Sequence, residues 1–311
     1  MPTSATSTIP DKALIEEVAL VKGVSEAFIE KDWYATQVIK LLTQPPQRDF
    51  ILVFTGGTAL SKAHRLIHRF SEDIDFRVLA PTLDGQNNSQ IRKAMSGFKK
   101  SVVELLNESF DTFKTTASDY NRNIIIDLDY PSRFNPAEVL RPHIKLELTM
   151  GSLQLPSVGL PVSSLVNEVA GQPGEVESIA CVDPVENAAD KVSALAWRVP
   201  SRVRGAQDKQ PDLVRHLHDL AMLSEKAMHS PHFVGLVNRA LSRDDNRAAE
   251  VTGLSVQEKI SKAMEILATD PAYPREYEKF VSGMSYAGRD VVPSYATALS
   301  RMRILASYIA G

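Results

Sequence analysis

FTGGTALSKAHRLIHRFSEDIDF, residues 54–76, is the stretch whose reading decides the fold. The apolar run Phe50-Ile51-Leu52-Val53-Phe54 ends at Gly56-Gly57, the pattern of a buried strand closed by a turn. Residues 58–68 read as a helix, and Ile74 to Leu79 as a second strand. Fourteen residues separate Thr58 from Asp73, where an acidic pair with one residue between begins. On a strand, Asp73 and Asp75 point to the same face.

Two carboxylates side by side repel unless cations neutralise them. Mg²⁺ takes oxygen ligands and keeps open positions for phosphates, and two such ions can activate a hydroxyl and stabilise a leaving pyrophosphate. The bland alternative is a solvated strand edge, where paired acids are common. Gly56, Gly57 and Thr58 sit where a backbone can turn sharply and approach a phosphate. No GxxxxGK[ST] motif is present, and Ser61-Lys62 only resembles its end. A turn able to cradle phosphate, followed by an acidic pair, is what metal-dependent transfer from a nucleotide requires.

A third carboxylate is expected on a neighbouring strand. Glu147 in IKLELTMG is preferred, with Asp127 and Asp129 in IIIDLDYPS as alternatives. Lys191 and Arg198 in DPVENAADKVSALAWR are seven residues apart and share a helix face. They are either a solvated stripe or cations for a triphosphate. Asp219, in VRHLHDLAML, has apolar neighbours that favour a buried, paired carboxylate, and it could anchor the lysine. His64 and His68 are one helical turn apart without the glutamate of a zincin motif, so zinc is not expected.

The chain has 311 residues, 43% hydrophobic and 23% charged, enough for one large domain or two modest ones. A net charge of −3 gives no global case for nucleic acid, so RNA contact needs a local basic face. Three basic groups stand out: Lys62, His64, Arg65, His68 and Arg69; Arg92, Lys93, Lys99 and Lys100; and Arg198, Arg202, Arg204 and Lys209. The single cysteine, Cys181, excludes an intrachain disulfide. No apolar run spans a bilayer and the first residues lack the pattern of a secretory signal, so a cytoplasmic protein is expected.

The expected organisation is a disordered tail over 1–10, a domain over 11–180 with N-terminal helices, and a helical domain over 181–311. Helices are expected over 11–42, with Ser25 capping the second, and over 90–110. Strands are expected over 124–130 and 144–150, and a connection with some strand content over 151–180. Helices follow over 184–198, 212–228, 231–242, 255–268, 273–283 and 293–309. The fold class is α+β: a mixed sheet of nucleotidyltransferase type with flanking helices, then a helical C-terminal domain.

Five segments together resemble the AbiEii/AbiGii nucleotidyltransferase toxin family, within the DNA polymerase β-like superfamily. They are IEKDWYATQVIKLL (29–42), FTGGTALSKAHRLIHRFSEDIDF (54–76), IKLELTMG (144–151), DPVENAADKVSALAWR (183–198) and RHLHDLAML (215–223). The resemblance implies a toxin of a toxin–antitoxin or abortive-infection system, with a cognate antitoxin as partner. It implies transfer of a nucleoside monophosphate from a nucleoside triphosphate with Mg²⁺ or Mn²⁺, the acceptor being the 3′ end of tRNA. A protein hydroxyl, the antitoxin's included, or a small molecule stays open as acceptor, as does kinase-like use of the γ-phosphate. Carried onto this chain, Asp73 and Asp75 bind metal, with Glu147 at the third position. Gly57 and Thr58 contact the triphosphate, and Lys191 and Asp219 are catalytic; beside the resemblance, Gly56, Lys62 and Arg198 are further nucleotide-binding candidates. The family's first acid of the later motif is replaced by Arg215-His216, for which Asp212 is a substitute.

Overall fold

The computed structural model describes residues 9–43, 47–135, 140–205, 213–286 and 291–311. Asp212 and Lys209, and most of the expected tail, lie outside them. The chain divides into two compact units, one of residues 1–65 and 70–182, the other of residues 66–69 and 183–311.

The first unit begins with two helices, α1 (Lys12–Lys22) and α2 (Glu26–Leu42). Asp11 caps α1 by accepting from the Leu14 N–H at 2.8 Å, and Gly23 closes it at φ 66°, the left-handed conformation that glycine adopts without strain. Ser25 occupies the N-cap of α2 as expected, but its side chain makes no capping bond. The chain continues through β1 (Ile51–Thr55), a short helical turn α3 (Gly56–Thr58) and β2 (Asp73–Leu79). Next come α4 (Asn88–Leu106), β3 (Asp111–Ser118), β4 (Asn123–Asp129), β5 (Ile144–Met150), β6 (Val158–Val162), α5 (Leu165–Val169) and β7 (Val176–Cys181). The seven strands form one mixed sheet in the order β3-β4-β5-β2-β1-β7-β6. β2 pairs antiparallel with β1 and parallel with β5.

Alternation along β2 assigns the two faces. Ile74, Phe76 and Val78 join Leu146 and Leu148 of β5 in one core, together with Trp33 and Ile39 of α2 and Met95 and Phe98 of α4. Asp73 and Asp75, at the intervening positions, therefore point to the opposite face from α2 and α4. The exposed cations Arg92, Lys93 and Lys100 of α4 accordingly ride on the back of the sheet, away from the carboxylates.

Expectation and structure differ at the helix after Gly57 and at β3. The helix over 58–68 is cut short: α3 runs into a π-helical turn, Ala59–Ala63, and Arg65 turns left-handed at φ 54°. Leu66–Arg69 then belongs to the second unit. The strand β3 was unforeseen, because this edge strand is largely exposed and shows no apolar alternation. The connection over 151–180 has the expected strand content, in β6 and β7, and adds the helix α5.

In the second unit, helices α6 (Pro184–Ser201), α7 (Val214–Met228), α8 (Phe233–Arg243), α9 (Val256–Thr269), α10 (Ala272–Met284) and α11 (Tyr295–Ala310) pack around Val192, Leu195, Leu217, Leu220 and Phe233. Asp183 caps α6 by accepting from the Val185 N–H at 2.8 Å, and Pro184 follows at the first helical position, where its missing N–H has no partner to lose.

Candidate active site

The acidic face of the first unit is assembled by register. Asp75 lies opposite Thr55 on β1 and Glu147 on β5, and Asp73 lies opposite Lys145. Asp127 on β4 lies opposite Lys145 in turn. Strand spacing is about 4.8 Å, so Glu147 is one strand from Asp75 and Asp127 is two. Asp129 falls beyond the β4–β5 ladder and is exposed. Adjacency favours Glu147 as the third carboxylate.

Gly56 explains why glycine precedes this pair. It sits at φ 75°, and a Cβ there would overlap the Asp75 carboxylate. Thr58 is buried, and its hydroxyl donates to the Asp73 backbone carbonyl. The turn and the acidic strand are thus tied together through the backbone of Asp73 and the packing of Asp75. The Thr58 hydroxyl is thus directed into the protein.

Two cations of the chain already meet these acids. Arg141 Nη1 stands 2.7 Å from Asp73 Oδ1, and Lys145 pairs with Glu147. Arg141 is fixed from behind: Glu72 accepts its backbone N–H at 2.7 Å, and Lys31 donates to its carbonyl at 2.8 Å. Lys31 also pairs with Glu72 at 2.6 Å. Burial lowers the Lys31 ammonium below the ordinary lysine range, while Glu72 pulls it back up. Neither Lys31, Glu72 nor Arg141 was singled out from sequence. Glu72 directly precedes Asp73, which was the one available signal.

The donor set suits a hard divalent cation: carboxylate oxygens from adjacent strands, beside a backbone held open by glycine. Among the described residues no group of three His, Cys, Asp or Glu side chains is drawn together as a formed metal site, in keeping with the ion pairs that Asp73 and Glu147 make.

The Lys62 side chain is buried, 2.6 Å from Asp32 Oδ1 and 3.0 Å from the Ser163 carbonyl, so its ammonium has partners inside the unit. Asp32 also accepts from the Leu165 N–H at 2.7 Å, joining α2, the π-turn and α5.

The second unit holds a buried cluster. Asp219, fully buried, accepts from Arg69 Nε and Nη2 at 2.7 Å each and from Lys191 Nζ at 2.8 Å. His218 Nδ1 lies 3.2 Å from the same carboxylate. Burial alone would raise the Asp219 carboxyl, but the Arg69 and Lys191 charges outweigh it and hold it well below the usual carboxylate range. Burial lowers the Lys191 ammonium, against the pull of Asp219. Neither ring nitrogen of His216 has a hydrogen-bond partner among the described residues. Burial, then the charges of Lys191, Arg215 and Arg198, hold its imidazole well below the ordinary histidine range. Arg198 lies 4.9 Å over the Trp197 ring.

Several cations of the basic groups are engaged in ion pairs. Arg69 is buried on Asp219. Arg202 pairs with Glu276, and Arg204 with Glu276 and Asp270.

A family model described as nucleotidyl transferase AbiEii toxin, type IV toxin–antitoxin system, matches residues 40–301. The chain belongs to the AbiEii family. Its fold is similar to that of MenT4, a nucleotidyltransferase toxin from Mycobacterium tuberculosis H37Rv: 19% identity, TM-score 0.52, over 95% of this chain and 99% of that one. CdnE, a cyclic dinucleotide synthase from Elizabethkingia meningoseptica solved with GTP and Apcpp, matches at 9% identity and TM-score 0.27, over 89% of this chain and 90% of that one. No curated protein matches. As an AbiEii member the chain is a nucleotidyltransferase toxin of the type IV class, and no helix among the described residues is long and apolar enough to cross a membrane.

Proposed function

We propose that this AbiEii-family chain moves a nucleoside monophosphate from a nucleoside triphosphate onto the 3′ end of tRNA, in the cytoplasm, as a toxin countered by a cognate antitoxin. The observation that carries the reading is the in-register placement of Asp75 and Glu147, with Asp73 on the same face, beside the Gly56 turn. In this reading Asp73, Asp75 and Glu147 hold Mg²⁺ or Mn²⁺. Bound there, the ion neutralises phosphate charge and assists the attacking hydroxyl. Gly56 and Gly57 let the backbone approach the triphosphate, and Thr58 keeps that turn fixed to β2. The acceptor hydroxyl attacks the α-phosphorus in line, its bond to phosphorus forming as the bond to pyrophosphate breaks. Lys191 and Asp219 enter this reading through the family resemblance, and Arg198 through the helix face it shares with Lys191; the division into a nucleotidyltransferase domain over 11–180 and a helical domain over 181–311 follows the pattern of elements along the sequence.

The test incubates purified protein with total tRNA, Mg²⁺ and each nucleoside triphosphate in turn, labelled at the α- or γ-phosphate. Label from the α-phosphate is expected in tRNA and is lost in Asp75→Ala. Label in protein from the γ-phosphate, with none in RNA, would replace the reading with a kinase-like one. Growth arrest on expression, relieved by the same substitution, tests the toxin role.

A further inference from the structure

We infer that Arg141 is a built-in counter-ion of Asp73, which a divalent cation must displace, so that the acidic face loads metal together with a triphosphate rather than alone. The inference rests on the metal-dependent reading above. Three observations support it.

The placement of Arg141 is specified. Its backbone is gripped on both sides, the N–H by Glu72 and the carbonyl by Lys31, and Lys31 and Glu72 are themselves buried and paired. The side chain leaves that anchored backbone toward the acids: its Nη1 is 2.7 Å from Asp73 Oδ1 and its Nε 3.7 Å from Glu72 Oε2. The guanidinium can also leave, since the Arg141 side chain is one-third exposed while that of Asp73 is 11% exposed. The arrangement is repeated, because Lys145 occupies Glu147 on the neighbouring strand. Asp73 and Glu147 thus each carry a cation from the chain.

The electrostatic consequence follows. Arg141 and Lys145 offset negative charge at Asp73 and Glu147. A lone divalent cation that binds there must break an ion pair. A triphosphate changes the exchange. Its oxygens accept the guanidinium's parallel N–H donors, and the freed carboxylate takes the metal. Metal and nucleotide then bind with positive coupling, which for such linked sites is about 5- to 150-fold.

Mn²⁺ binding, followed by the electron paramagnetic resonance of the free ion, tests this without catalysis. Wild type, Arg141→Gln, Arg141→Lys, Lys145→Gln and Asp73→Asn are titrated with and without a non-hydrolysable nucleoside triphosphate analogue. Arg141→Gln is expected to bind Mn²⁺ roughly tenfold more tightly than wild type without the analogue, and to gain less when the analogue is added. Lys145→Gln shifts in the same direction, Arg141→Lys stays near wild type, and Asp73→Asn loses affinity. The backbone bonds of residue 141 do not involve the guanidinium, so the glutamine variant keeps its anchor. Equal or weaker Mn²⁺ binding in Arg141→Gln, with binding still lost in Asp73→Asn, would overturn the counter-ion role and leave the metal reading standing. Absence of Mn²⁺ binding in wild type even with the analogue would overturn both.

Discussion

At the scale of single residues, Gly56 ties backbone geometry to chemistry most directly. A left-handed φ strains any L side chain by about 1–2 kcal/mol, and at this position the added Cβ also strikes the Asp75 carboxylate. Gly56→Ala is therefore expected to reduce nucleotide transfer by at least about a hundredfold, since a misplacement near 1 Å has that effect, while the far-ultraviolet circular dichroism stays native. Gly23→Ala is the internal comparison: φ is 66°, and nothing lies within 4 Å of its Cβ. It should lower thermal stability and spare the rate. Equal rates in the two variants would show that the Asp75 contact is immaterial.

At the scale of elements, α2 shows how charged residues come to be buried. Glu30, Lys31 and Asp32 are consecutive, and each meets a different segment: Arg133, Glu72 and Lys62. Removing one partner of a buried pair strands the other at a penalty of about 3–5 kcal/mol. Lys62→Met should lower stability to urea by about that amount and leave triphosphate affinity unchanged in protein that remains folded. Unchanged stability with lost affinity would return Lys62 to the nucleotide. The partners explain what could be read from the chain beforehand. The strands β2 and β5 were legible because apolar and polar residues alternate along them, and Asp73, Asp75 and Glu147 stood out within that alternation. The short span of the helix after Gly57 was not, because periodicity carries no mark for a π-turn or for a left-handed Arg65. The partner of Lys62 was not legible because it lies thirty positions earlier in the chain, on another helix. Arg141 escaped notice because its meaning depends on which strand lies beside β2.

At the scale of the whole molecule, the buried cluster around Asp219 sets a pH dependence. His216 is held below its ordinary pKa by burial, with Lys191, Arg215 and Arg198 adding to the effect and Asp219 opposing it. The unfolded chain takes up that proton near pH 6.5 and the folded chain does not, so stability falls as pH drops below about 6.5. Asp219 is also depressed, but its contribution is complete above about pH 4 and is lost only at lower pH. Urea unfolding of wild type between pH 7 and 5 should show a downward slope that His216→Gln flattens. An unchanged slope in the variant would place the titration elsewhere.

The assignment of Leu66–Arg69 to the second unit has a consequence for dissecting and recombining this toxin. The chain passes from one unit to the other three times, after Arg65, after Arg69 and after Val182. A fragment starting at Asp183 would carry Asp219 and Lys191 but leave behind Arg69, which supplies two of the bonds to that carboxylate. The helical unit is therefore not a cassette that one cut can release or one fusion point can transplant. Any swap between relatives has to exchange the four-residue loop inside the GGT-to-DxD interval along with the C-terminal half.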